Sequence, residues 1–132
     1  MPTIFSRIVN GEIPCYKIAE TADYLAFLDV RPQVLGHTLC IPKQEVDYIF
    51  DIADEQLAGL MVFAKKVARA VGATVPCKRV GVAVIGLEVP HAHIHLMPLN
   101  TLSDLSFGKE PLLMSPDEMK ALAEKMAAAM SL

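Results

Sequence analysis

Residues 91–97 read His-Ala-His-Ile-His-Leu-Met, and three of the four histidines of the chain fall in this run. A period of two is the signature of a β-strand, in which side chains i, i+2 and i+4 share one face. The run therefore predicts a strand with His91, His93 and His95 in a row, backed by Ala92, Ile94 and Leu96 on the other face. A row of imidazoles is costly to bury and chemically versatile, because each titrates near neutral pH. It constrains this chain more than any other stretch.

The surrounding sequence predicts a single domain. At 132 residues the chain is long enough for a real core, and 53% of it is apolar, which leaves apolar surface for a second subunit. Its net charge of −3 and lack of a basic tract argue against long nucleic acid as a partner. No apolar run approaches the roughly 20 residues of a membrane span. The start, Met1 to Arg7, lacks the apolar core of a signal peptide. Cys15, Cys40 and Cys77 are odd in number and have no metal-type spacing, so they read as reduced thiols of a cytoplasmic protein.

Along the chain, Ile4 to Val9 can make one short helical turn ended near Asn10-Gly11. Cys15 to Ala19 and Tyr24 to Asp29 read as strands around a turn at residues 20–23, and His37 to Ile41 as a third strand closed by Pro42. A helix is expected after Asp51 or Asp54, with Leu57, Leu60, Met61, Ala64, Val67, Ala68 and Val71 at helical spacing and Gly72 as its stop. Arg79 to Ile85 is a fourth strand and the histidine run a fifth. Residues 102–113 show no period. Ser115-Pro116-Asp117-Glu118 then gives an N-cap, an N1 proline and a capping-box glutamate for a helix over about 116–130. This order predicts an α+β fold with a mostly antiparallel sheet and helices against it.

The run His91 to Met97 resembles the signature of the histidine triad (HIT) family. Ile4-Phe5, Gly11-Glu12-Ile13-Pro14, Leu25 to Asp29, Pro32-Gln33, Gly36-His37 and Ile41-Pro42-Lys43 resemble the N-terminal half of that family in order and spacing. The similarity spans residues 4 to about 98 and is greatest to the Hint-like branch of nucleotide hydrolases. It implies a five-stranded antiparallel sheet with a main helix, usually paired as a homodimer, with residues 1–100 as the HIT domain. Residues 101–132 would be an extension carrying an extra C-terminal helix within the same domain.

The resemblance also implies a reaction. An imidazole attacks the α-phosphate of a purine nucleoside monophosphate derivative, such as a phosphoramidate, and water hydrolyses the nucleotidyl-histidine formed. It assigns attack to His93, phosphate or leaving-group contact to His95, and a supporting role to His91 and His37. Histidine suits this because neutral imidazole is a good nucleophile at pH 7 and forms a labile P–N bond. His95 separates the chain from transferase relatives, which carry glutamine there. Asp29 matches a ribose-binding aspartate, and Ile4, Phe5, Ile8, Ile13, Phe27, Leu28 and Val30 match positions that sandwich the base. Gly86 and Val89 fall in the phosphate-binding loop. No cofactor or metal is implied, since Ser6 stands where zinc-binding members carry a cysteine.

The chain departs from the pattern at two places. The loop Gly86-Leu87-Glu88-Val89-Pro90 is shorter than usual before the triad and lacks amide and hydroxyl side chains, and residues 79–85 hold no asparagine. These departures keep a second reading open, a mononucleotide-binding or protein-interaction module with little turnover. A zinc protein is a third, although the outer histidines of a strand row stand too far apart to meet on one ion. Read residue by residue, Asp29 could cap a turn, His37 could end a strand, and the apolar set from Ile4 to Val30 could be core.

Overall fold

A computed structural model describes residues 2–130. In chain order the elements are α1 (Ile4–Val9), β1 (Lys17–Glu20), β2 (Tyr24–Leu28), β3 (Thr38–Pro42), α2 (Asp54–Thr74), β4 (Arg79–Ala83), β5 (Ile94–Leu99) and α3 (Pro116–Ala128). Single 3₁₀ turns lie at Ile49–Asp51 and Leu102–Asp104. The strands form one sheet in the order β1-β2-β3-β5-β4, and every neighbouring pair is antiparallel. The α+β class and the five-stranded sheet with a main and a C-terminal helix are as the sequence implies.

Register divides the sheet into two unlike faces. Leu25 pairs with Ile41, Phe27 with Leu39, and Leu39 with His95, so these side chains share a face. Phe5 of α1 packs on that face with Leu25, Phe27, Leu39 and Ile41 in a small buried cluster. The alternate residues Ala26, Leu28, Cys40, Ile94 and Leu96 point the other way, into the main core, against Leu60, Phe63, Ala64, Val67 and Val71 of α2. Alternation within a single strand thus places His95 opposite α2, on the α1 side.

The C-terminal helix begins at the capping box read from the sequence, with the Ser115 hydroxyl accepting from the Glu118 N–H and the Glu118 carboxylate accepting from the Ser115 N–H. Its buried Met119, Ala123 and Met126 join the main core beside α2 and β1. Residues 116–128 therefore complete the same core as the sheet.

Several element ends differ from expectation. Gly72 lies inside α2, which continues to Thr74, and the Thr74 hydroxyl donates to the Ala70 carbonyl. The stop comes from Pro76, which forces Val75 into an extended conformation. β1 starts at Lys17 rather than Cys15, β2 ends at Leu28, β3 starts at Thr38 and β4 ends at Ala83. The fifth strand covers Ile94–Leu99 and contains only one of the three clustered histidines. β4 ends opposite His95, so residues 91–93 have no ladder on that side. They form a bend tied by the bonds His91 N–H to Val89 O and Ala92 N–H to Val46 O.

Gly36 makes the turn into β3 with φ +87°, and a Cβ there would stand 2.9 Å from Val75 and 3.2 Å from Pro98. The left-handed backbone and the packed wall both oppose any side chain. Gly36→Ala is expected to cost about 2–4 kcal/mol, read as a lower urea midpoint with unchanged slope.

Candidate active site

All four histidines are buried and gather on the α1 side of the sheet, around a cavity of about 560 Å³. His93 and His95 line that cavity, their ring centroids 4.8 Å apart. His37, just before β3, stands next to His95, with ring centroids 5.1 Å apart. His91 lies behind the cavity wall, fully buried. The Phe5 ring meets His91 and His93 edge-on, at 5.7 and 5.1 Å.

A buried imidazole must satisfy its ring nitrogens, and the partners fix the tautomers. His93 Nδ1 lies 2.7 Å from the His91 carbonyl oxygen, which can only accept, so in the neutral ring Nδ1 carries the proton and Nε2 the lone pair. His91 Nε2 lies 2.8 Å from the Pro42 carbonyl and must donate to it, leaving Nδ1 to accept from the Thr3 hydroxyl at 2.8 Å. The Gln33 N–H donates to His37 Nδ1 at 3.1 Å, so the proton of neutral His37 sits on Nε2. That proton is donated to His95 Nδ1 at 2.9 Å, which places the proton of His95 on its own Nε2. A lone pair on His93 and an N–H on His95 are therefore presented side by side.

Burial also favours the neutral form of His37, His91 and His95. Desolvation is the largest cause of the lowered pKa of His37, His91 and His95. It is opposed at His37 by the Asp29 carboxylate and at His91 by the Pro42 carbonyl. His95 is pushed down to about 3, first by burial and then by the neighbouring His93 and His37.

Asp29 directly follows β2. One carboxylate oxygen accepts the Arg31 N–H at 2.9 Å, and the other lies 3.6 Å from His37 Nε2. The carboxylate thus caps a turn and still lines the cavity. Asp29, His37 and His95 bring three metal-type donor atoms within 4.8 Å of one another. The chemistry of the set opposes a metal. A cation on His37 Nε2 would move the proton to Nδ1, directly against the Gln33 N–H. Near the N-terminus, Ser6 donates to Glu45 at 2.7 Å, and Glu45 also accepts the Thr3 N–H at 2.8 Å. The Thr3 hydroxyl there bonds His91, and the Glu45 carboxylate ties down Thr3 and Ser6.

Ile4, Phe5, Ile8, Ile13, Phe27, Asp29, Val30, Gly86 and Val89 line the same cavity as His37, His93 and His95, so the sequence-derived set is gathered at one place. Leu28 also borders it, but its side chain belongs to the main core, so what it offers the cavity is main chain. His91 is a support with no part in the lining. The expected row of three rings on one strand becomes one ring on β5, one on the preceding bend and one behind. The sequence reading missed Phe107, Lys109 and Pro111, which form part of the wall. They belong to the stretch without periodicity, and no motif marks them.

The HIT domain family model matches residues 10–102. The chain belongs to the HIT family. A fission yeast (Schizosaccharomyces pombe) protein named adenosine 5′-monophosphoramidase is 38% identical over 129 residues, covering 96% of this chain and 97% of that protein. A baker's yeast (Saccharomyces cerevisiae) protein of the same enzyme name is 40% identical over 96 residues, 72% of this chain and 61% of its own length. Among solved structures, a Hit-like protein from Bartonella henselae superposes with a TM-score of 0.84 at 27% identity, covering 97% and 96% of the two chains. A zinc-bound histidine triad family protein from Mycobacterium smegmatis gives 0.80 at 30% identity, covering 96% and 91%. Both solved structures share the fold seen here.

The neutral histidines make stability depend on acid. The pKa of His95 in the folded state lies below its value in the unfolded chain, so the unfolded chain takes up the proton first as pH falls. Its contribution is present above about pH 6.5 and is lost towards pH 3. The advantage of the wild type over His95→Asn in urea unfolding is expected to narrow steadily between pH 7 and pH 4.

Proposed function

We propose that the protein is a hydrolase of nucleoside 5′-monophosphate derivatives, purine phosphoramidates above all, acting through a nucleotidyl intermediate on His93. The observation that carries this reading is the pair of tautomers. The His93 lone pair and the His95 N–H face one cavity, each set by a hydrogen bond on the far side of its ring. The enzyme name of the full-length yeast relative supports the substrate class.

In this reading the base lies in the apolar slot among Phe5, Ile8 and Phe27, and Asp29 receives the ribose hydroxyls. His93 Nε2 forms a bond to phosphorus as the bond to the leaving amine breaks, and His95 Nε2 gives the amine its proton. The charge that develops on His93 is held through its Nδ1–H by the His91 carbonyl. Water then attacks phosphorus, releasing the monophosphate and His93, and its proton restores His95. The short loop offers no amide or hydroxyl side chain to the phosphate. Among the described residues the N–H groups of residues 86–89 have no acceptor within the protein, which leaves them free for phosphoryl oxygens.

The test is hydrolysis of an adenosine phosphoramidate bearing a fluorogenic amine. His93→Ala is expected to abolish turnover while AMP still binds, and His95→Ala to lower kcat by about 10²–10⁴-fold. Full-rate hydrolysis by His93→Ala sinks the nucleophile. Absence of turnover in the wild type with AMP binding intact favours the binding module.

We also propose a homodimer. β4 is an edge strand with Val82 exposed on the α2 side of the sheet, and Met61 and Val62 of α2 are exposed as well. An apolar edge of this kind invites a second copy. Analytical ultracentrifugation is expected to give a dimer, and Val82→Glu a monomer. The free cysteines Cys15, Cys40 and Cys77 fit a reducing compartment such as the cytoplasm.

A further inference from the structure

Residues 105–112 lie beyond the stretch matched by the HIT domain, and they close one side of the cavity. The Phe107 ring stands edge-on to His95 at 4.7 Å and to His37 at 6.0 Å, covering the pair that carries the tautomer chain. Gln33 fastens this segment. Its side-chain amide donates to the Lys109 carbonyl and accepts from the Lys109 N–H, both at 3.2 Å. A third bond runs from the Leu112 N–H to the Pro32 carbonyl at 2.8 Å. The main-chain N–H of the same Gln33 fixes the His37 tautomer. One residue thus holds both the start of the proton chain and the strap laid over it.

We propose that residues 105–112 form a strap that belongs to the active site, with Phe107 as the positioning residue that keeps His95 dry and in its Nε2–H tautomer. Without the ring, water reaches His95 Nδ1 and competes with His37 for it, and the cost of charging His95 falls. The charged groups bordering the pair are Asp29 and Arg31 from the loop after β2, Glu88 from the short loop, and Lys109 from the strap; His93 is the third ring in contact. Of these, Asp29 favours protonation of His37 and the ring of His93 opposes it. Because Phe107 is uncharged, its effect reaches the pair through solvent access and leaves those charges in place.

The strap deepens the hydrolase reading but is tested without it. Nitrogen NMR of the histidine rings, in protein labelled with ¹⁵N, reads tautomer and protonation directly in the free enzyme. In the wild type His95 is expected to stay neutral with Nε2 protonated from pH 8 to pH 5. In Phe107→Ala its ring should titrate within that range or mix tautomers, and Phe107→Leu should restore most of the wild-type behaviour. Gln33→Ala keeps the main-chain N–H to His37, releases the strap and removes no core side chain, so it should reproduce the Phe107→Ala spectrum. The double variant should go no further than either single one. With phosphoramidate as substrate, Phe107→Ala should lower kcat about tenfold or more with KM changed less than threefold. Unchanged His95 signals in both single variants would overturn the strap. Shifted signals in a protein with no turnover would instead leave the strap standing and overturn the hydrolase.

Discussion

Four buried imidazoles carry eight ring nitrogens, and six of these are bonded to other groups of the protein. Each bond has a direction, because a carbonyl can only accept and a main-chain N–H can only donate. The direction passes through the ring and sets which nitrogen faces the cavity. Pro42, His91 and Gln33 contribute main-chain groups, so the protonation pattern of the site is written largely into the backbone. Of the eight ring nitrogens only His93 Nε2 and His95 Nε2 lack a protein partner among the described residues, and both rings line the cavity.

That arrangement depends on the two-faced sheet. The main core, between the sheet and α2 and α3, fixes Ile94 and Leu96 of β5. With those side chains locked, His95 has one direction left, towards α1. A slip of one residue would drive His95 into the apolar core and Leu96 into the cavity. α1 is only six residues long, yet it places Phe5 against His91 and His93, and Thr3 at its N-cap both accepts the Ser6 N–H and donates to His91. The helix therefore serves the site as much as the fold.

Much of this was legible in the chain. Alternation around the histidines gave the backing residues Ala92, Ile94 and Leu96, and all three are in the core. The capping box at Ser115 marked a helix start correctly because its signal is local, a hydroxyl and a carboxylate three residues apart. Family resemblance brought His37 and Asp29 to the triad across more than fifty residues of sequence, and they line the same cavity. Signals of shorter reach failed where packing decided. Gly72 looked like a helix end but lies inside α2, and the true end is set by Pro76. Alternation placed His91 and His93 on a strand, but a strand needs a partner, and β4 ends before it can pair with them.

By itself the sequence determined the α+β class, the family, the histidines available for chemistry and most of the apolar slot. The class and the histidines follow from residue type and period, and the family and the slot from the resemblance of the chain's motifs to known ones, all of which the chain alone carries. Only the tertiary structure decided which ring nitrogens are bonded and which are bare, because that depends on carbonyls and N–H groups brought in from β3, from the bend before β5 and from the loop holding Gln33. It alone placed Phe107 over His95, since residues 102–113 have no period or motif and take their position from a clamp formed by a side chain 76 residues away. A pattern can report which groups a chain owns, while the direction of a hydrogen bond exists only between groups that folding has brought together.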